Sequence, residues 1–141
     1  MRHPAGLALF CALLSSTACT GLVAGPEASA VTPVPASRDS AFVRARRAVQ
    51  TEAFTLEVAD SLGGRLSGTR YNSPTAKVGT AAACRVRLTL RINGDSHQAE
   101  VASTSGWLAP KQMVEKAPTV CEQERLDVLA RVAQTLAPPT P

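Results

Sequence analysis

Side chains able to do covalent or proton-transfer chemistry are sparse in this 141-residue chain. It has two histidines, and His3 sits almost at the N-terminus, so His97 stands alone in the body of the sequence. A nucleophilic triad needs a base beside the nucleophile and an acid to orient it. A single histidine at the start of a strand reads instead as structural or solvated. Paired carboxylates are the other route, and Glu57, Asp60 and Glu100 all lie on or near expected strands. Glu57 and Glu100 also share polar strand faces with Arg85, Arg87 and Arg91, where cross-strand ion pairing is the simpler use of them. Leu62-Gly63-Gly64 has turn chemistry, with no Lys-Ser/Thr behind it to make a phosphate loop. No Cys-x-x-Cys occurs, so neither a metal nor another cofactor is expected. The sequence therefore predicts no catalytic residue and no enzyme.

What remains is charge. Arg85, Arg87 and Arg91 fall at alternate positions of one apolar-alternating segment, and Arg65 lies on the segment expected beside it. Together they form a basic stripe interrupted by Glu57 and Glu100. Such a stripe is either a solvated, salt-bridged face or a docking surface for an anionic partner. The chain carries 15 Lys+Arg against 11 Asp+Glu, a net +4, with only three Phe, one Tyr and one Trp. That is too little clustering and too few aromatics for a nucleic-acid surface.

The N-terminus has a three-part export pattern. Met1-Arg2-His3 is a short positive start, residues 5–14 (AGLALFCALL) are apolar, and Ser15-Ser16-Thr17-Ala18 are small. The apolar run is too short to span a bilayer. Leu14 to Cys19, LSSTAC, resembles the lipobox of bacterial lipoproteins, with Ser16 where that family usually has Leu. The resemblance implies cleavage before Cys19 and acylation of that residue. Thr20 in place of Asp implies the outer membrane, with the domain on its periplasmic face. Ser16-Thr17-Ala18 and Ala28-Ser29-Ala30 are also small-x-small sites for ordinary cleavage, which would leave a soluble periplasmic protein. Residues 1–18 are thus expected as signal peptide and residues 19–37 as a lipidated Cys19 with a flexible tether, rich in Ala, Gly, Pro and Ser. A domain over 38–137 and a loose tail at 138–141 complete the plan.

Four cysteines are present. Cys11 departs with the signal and Cys19 is occupied if lipidated, which leaves Cys84 and Cys121 as a pair in an oxidising compartment. Both occupy core-facing positions, and a structural disulfide is expected between them, with metal binding and redox chemistry as the rivals.

The elements that must position these residues follow from periodicity. Asp39 or Ser40 is expected to cap a first helix running to about Gln50, with Phe42, Ala45 and Val49 inward. Residues 54–60 alternate with Phe54, Leu56 and Val58 on one face. A turn over 61–64 returns through 65–71, with Val58 opposite Leu66 and Leu56 opposite Gly68. Residues 84–92 (CRVRLTLRI) form the strongest strand. A two-residue turn at Asn93-Gly94 then pairs Val86 with Val101, Leu88 with Ala99 and Arg87 with Glu100 on a strand over 97–103. Trp107 falls in a long connection over 105–118. A Thr119-Val120-Cys121-Glu122 capping box opens the last helix, whose inward arc is Cys121, Val128, Leu129, Val132 and Leu136. The expected fold is α+β: two helices on one face of a four-stranded antiparallel sheet, α-β-β-β-β-α, with one disulfide.

The helix-then-hairpin stretch over 48–70 resembles a pattern of small envelope lipoproteins, including the repeats of the BamC component of the outer-membrane protein assembly complex. Phe54, Asp60, Gly63 and Gly64 carry the likeness, and Glu52-Ala53 stands where the usual glycine would be. It implies the architecture and no site residues. The expectation is a non-enzymatic outer-membrane lipoprotein, an envelope binding or assembly accessory factor. Its membrane contact is an N-terminal lipid anchor, and its partner is another envelope protein or an anionic glycolipid such as lipopolysaccharide, met by the sheet face or the segment over 72–83. A soluble periplasmic inhibitor or a small carboxylate-dependent hydrolase is the alternative.

Overall fold

A computed structural model of the protein describes residues 22–71, 84–110 and 118–138. The signal sequence, Cys19, and the segments over 72–83 and 111–117 lie outside the described residues. In chain order the elements are β1 (Leu22–Ala24), β2 (Ala28–Val34), α1 (Arg38–Thr51), β3 (Thr55–Asp60), β4 (Arg65–Tyr71), β5 (Arg85–Gly94), β6 (Ala99–Pro110) and α2 (Pro118–Leu136).

The architecture is α+β with one antiparallel sheet and two helices on a single face. The sheet has six strands rather than four, in five positions: β1 and β2 share one flank of β6, followed by β5, β4 and β3. Residues expected as a tether supply the two additional strands. Leu22 pairs with Pro110, and Ala28 to Val34 run antiparallel to Ser105 through Ala99. Thr32 and Val34 point inward and are buried while Ser29, Val31 and Pro33 face out, so a half-buried strand hides in an Ala/Pro/Ser composition. Pro33 is tolerated because β2 is an edge strand. Gly25 lies against the Trp107 ring, and any Cβ there would collide with it. Cleavage after Ala30 would remove β1 and three paired residues of β2. The mature N-terminus read by Edman degradation or mass should accordingly lie before Leu22, and a chain begun at Val31 should melt several degrees lower.

The core is built as the periodicity requires. Phe42, Ala45 and Val49 of α1, and Val128, Leu129, Val132 and Leu136 of α2, cover Leu66, Val86, Leu88, Leu90, Ile92 and Val101 of the sheet. The cap of α1 is Ser37, not Asp39 or Ser40: its hydroxyl accepts from the Ser40 N–H at 3.2 Å. At the other end Phe54 N–H donates to Val49 C=O and Ala53 N–H to Gln50 C=O, the paired bonds of a Schellman ending. Ala53 carries a φ of 58°, a left-handed conformation that glycine adopts without strain. Ala53→Gly should stabilise the protein by about 1 kcal/mol, raising the melting temperature by about 4–8 °C.

The hairpins depart from expectation in register. In the first, Leu56 does pair with Gly68, but a bulge at Glu57 places Val58 opposite Ser67 and half-exposes it. In the second, Val86 pairs with Trp107 and Leu88 with Ser105, because the turn is four residues, 95–98, not the dipeptide Asn93-Gly94. Asp95 drives this: its carboxylate accepts from the N–H groups of His97 (2.8 Å) and Gln98 (2.9 Å), which closes the longer loop. Those bonds hold the Asp95 carboxyl below its ordinary range. Arg87 therefore lies opposite Gly106 instead of Glu100, and β6 extends to include Trp107.

Cys84 and Cys121 form the expected disulfide, with Cα atoms 6.0 Å apart. It ties the start of β5 to the first turns of α2 and packs with Trp107 and Ala109 as a second, small apolar cluster.

Candidate functional site

The helices cover one sheet face; among the described residues no helix lies on the other, where the side chain of Glu27 packs over Gly106 opposite Arg87. Register defines the open face in rows across the strands. Arg65, Arg91, Ala102 and Val31 form one row. Ser67, Thr89, Thr104 and Ser29 form the next, four hydroxyls on four strands, with Ser29 Oγ and Thr104 Oγ1 3.2 Å apart. Thr69, Arg87 and Gly106 follow, then Tyr71, Arg85 and Leu108. Arg85, Arg87, Arg91 and Arg65 are all exposed on this face, so the structure brings the four together. The hydroxyl row between them passed unnoticed in the sequence, because it exists only once the register is known.

The arginines divide into two pairs. Glu57 lies 3.6 Å from Arg85 and 3.7 Å from Arg87, and accepts from Thr69 Oγ1 at 2.8 Å. Arg85 donates to the same Thr69 hydroxyl at 3.1 Å. Glu57, Thr69 and Arg85, with Thr55, Arg70 and Tyr71, border a shallow cleft of about 280 Å³. Arg65 and Arg91, by contrast, face each other directly across β4 and β5. Asp60, the nearest acid in register, turns to the Gly63 N–H at 2.8 Å. Like charges placed opposite each other disfavour the sheet, and an arriving anion relieves that. The cross-strand pairing expected for Glu57 is present; that expected for Glu100 is not, since Glu100 sits between Asn93 and Pro33.

The same register separates Glu57 from Glu100. Three inter-strand steps lie between β3 and β6, about 14 Å at about 4.8 Å each, where a carboxylate pair works at about 5–10 Å. His97 lies exposed in the β5–β6 loop. Among the described residues no three or more His, Cys, Asp or Glu side chains gather as metal ligands do, and no helix is long and apolar enough to cross a membrane.

On the helix side, two polar groups that periodicity does not announce brace the domain. Arg70 of β4 reaches Glu124 of α2 at 2.5 Å and Glu52 at the end of α1 at 3.7 Å. Arg131 closes the ring, 2.9 Å from Glu52 and 3.3 Å from Glu124. Near the disulfide, Glu122 accepts from Trp107 Nε1 at 2.8 Å and pairs with the buried Arg125. The hydrogen bonds from Arg125 and then Trp107 hold the Glu122 carboxyl below its ordinary range. A depressed carboxylate stabilises the fold above the usual pKa of about 4.3 and loses that contribution as pH falls through the lower, folded value. Glu122→Gln should therefore flatten the acid limb of a melting-temperature profile recorded from about pH 5 to pH 2. Trp107 emission reports the same site.

No family model matches the chain, and no curated protein does. Among solved structures it is similar to a DUF4468 family protein from Bacteroides ovatus, with 11% identity, TM-score 0.44, and coverage of 82% of this chain and 88% of that one. It is also similar to the protein TTHA0849 from Thermus thermophilus, with 13% identity, TM-score 0.39, and coverage of 79% of this chain and 97% of that one. At that distance neither lends the chain a function.

Proposed function

We propose that the protein is an exported, non-enzymatic envelope lipoprotein that binds an anionic partner through its open sheet face. The observation that carries this reading is that face itself: one side of the sheet free of helices among the described residues, with four exposed arginines. Of these, Arg65 and Arg91 are opposed to each other without an acid between them. Guanidiniums beside a row of hydroxyls offer forked, charge-assisted donors to phosphate or carboxylate oxygens. The export pattern before Cys19 supports an envelope location, and the disulfide suits an oxidising compartment.

The test is a variant with Arg65, Arg85, Arg87 and Arg91 all changed to Ala, expressed in the native host. It should fold, as judged by melting, and lose its envelope crosslinks. A folded variant that keeps every crosslink refutes the reading. The intact mass of the extracted protein tests the anchor separately: acyl mass on a chain beginning at Cys19 is expected, and an unmodified chain removes the lipoprotein from the proposal.

A further inference from the structure

The cations on the helix side of the domain divide by whether they have partners. Arg70 and Arg131 are held by Glu52 and Glu124, and Arg125 by Glu122. Arg38, at the start of α1, donates to the carbonyls of Leu62 and Ile92. Arg44, Arg46 and Arg47 are different: among the described residues their side chains make no ion pair and no hydrogen bond. Ala41, Phe42, Ala45, Ala48 and Val49 bury the opposite side of α1, so this face is fixed outward.

The three arginines flank a strip along the helix. Arg44 and Arg47 lie toward the end of α2, where they border a cleft of about 350 Å³ with Thr135 and Ala137. Arg46 lies about 160° round the helix from Arg44, on the far flank. Val43 stands between the flanks, 61% exposed, and with Asp39, Ser40 and Arg44 borders a second hollow of about 400 Å³. Arg44 is common to both, so the hollows adjoin along α1. Arg44 and Arg47 have one local use: α2 carries no basic residue in its last turn, and they complement the negative end of its dipole. That end is worth about half a charge, which leaves two guanidiniums in excess, and Arg46 is too far round the helix to share the task.

Charge is more one-sided here than on the sheet. The four arginines of the open face share it with Glu27, Glu57, Asp60 and Glu100. The outward residues of α1 include a single acid, Asp39, in the first turn. The strip is also narrow, because α2 in the same layer presents Gln123, Leu126 and Asp127. A flat anionic membrane laid on the helices would meet Asp127 as well, whereas a chain lying along α1 meets the arginines with Asp39 alone. We propose that the outward face of α1 is a docking surface for an acidic segment of a partner protein. Arg44 and Arg47 grip its carboxylates on one flank and Arg46 on the other, through forked, charge-assisted bonds, and Val43 is the apolar contact between them. This surface is separate from the open sheet face and depends on neither that reading nor the anchor.

The experiment follows fluorescein-labelled hexaglutamate by anisotropy on the purified protein at low salt. The probe should bind, and binding should vanish in 1 M salt, where the Debye length is about 3 Å. Arg44→Gln/Arg46→Gln/Arg47→Gln should weaken it by about tenfold or more, as the loss of charge-assisted hydrogen bonds requires, and should melt as the wild type does. Val43→Asp should weaken it too, and Leu126→Asp, the same change on α2, should not. The Arg65/Arg85/Arg87/Arg91→Gln protein loses more charge and should bind as the wild type does. Absence of binding, or equal weakening by the α1 and sheet-face variants, overturns the docking surface. Weakening confined to the sheet-face variant overturns it and leaves the sheet-face reading standing. Phosphatidylglycerol vesicles captured through the α1 arginines, with no hexaglutamate bound, also overturn it, since the strip would then be a lipid site.

Discussion

Removing the Cys84–Cys121 bond should lower stability by about 4 kcal/mol. The sequence separation is 37 residues, and closing a loop of that size in the unfolded chain accounts for that magnitude in the chain-entropy description. For a domain near 100 residues, where each kcal/mol is worth about 4–8 °C, the melting temperature should fall by about 15–30 °C. The native contribution has the same sign. The bridge is packed with Trp107 and Ala109, and beside it Glu122 of α2 accepts from Trp107. A Cys84→Ala/Cys121→Ala protein and the reduced wild type should melt together. If the double variant melts within about 3 °C of the oxidised wild type, less than one kcal/mol is at stake and the bridge is not what holds α2 to β5.

This bond was legible because each cysteine sat on a periodic apolar face. Alternation over 84–92 fixed which side of β5 is buried, and the arc of α2 did the same for Cys121. The faces survived even where the register did not. Val86 pairs with Trp107 in place of Val101, six residues further along, and an even shift leaves inward residues inward. The difference arises at Asn93-Gly94, which carries the short-turn signal but yields to Asp95. That carboxylate has two backbone donors to satisfy, and it makes a longer loop better bonded.

Composition misled in two places for one reason. Ala, Ser and Pro in 22–34, and Ala, Ser and Gly in 102–106, are poor intrinsic strand formers, so the strand character of these segments depends on neighbours. β6 is flanked by β5 on one side and by β1 and β2 on the other. Its inward Ser103 and Ser105 are small where α2 packs against it. Tertiary pairing supplies what propensity lacks. Of the candidate face, the arginine column was visible as sequence alternation. The hydroxyl row, and the apposition of Arg65 with Arg91, required the cross-strand register.

The least legible feature should be among the most sensitive to substitution. Arg70, on the helix-facing side of β4, sits among Glu52, Glu124 and Arg131, with its guanidinium 4.9 Å from the Phe54 ring centroid. The side chains of Arg70, Glu52 and Glu124 are 14%, 12% and 19% exposed, so their charges are largely withdrawn from water. A partly desolvated ion pair gains little or nothing over an apolar replacement of both partners, but removing one partner strands the other. Arg70→Met should cost about 3 kcal/mol, the low end of the range of about 3–5 kcal/mol for breaking a buried pair, because Arg131 still holds both carboxylates. Glu124→Gln placed in the Arg70→Met background should then recover part of the loss, since the stranded charge is gone. Denaturant midpoints of the four proteins in this cycle measure the coupling. A coupling below about 0.5 kcal/mol, the limit for independent sites, would mean that the four charges are solvated neighbours and that α1, β4 and α2 are joined by apolar packing alone.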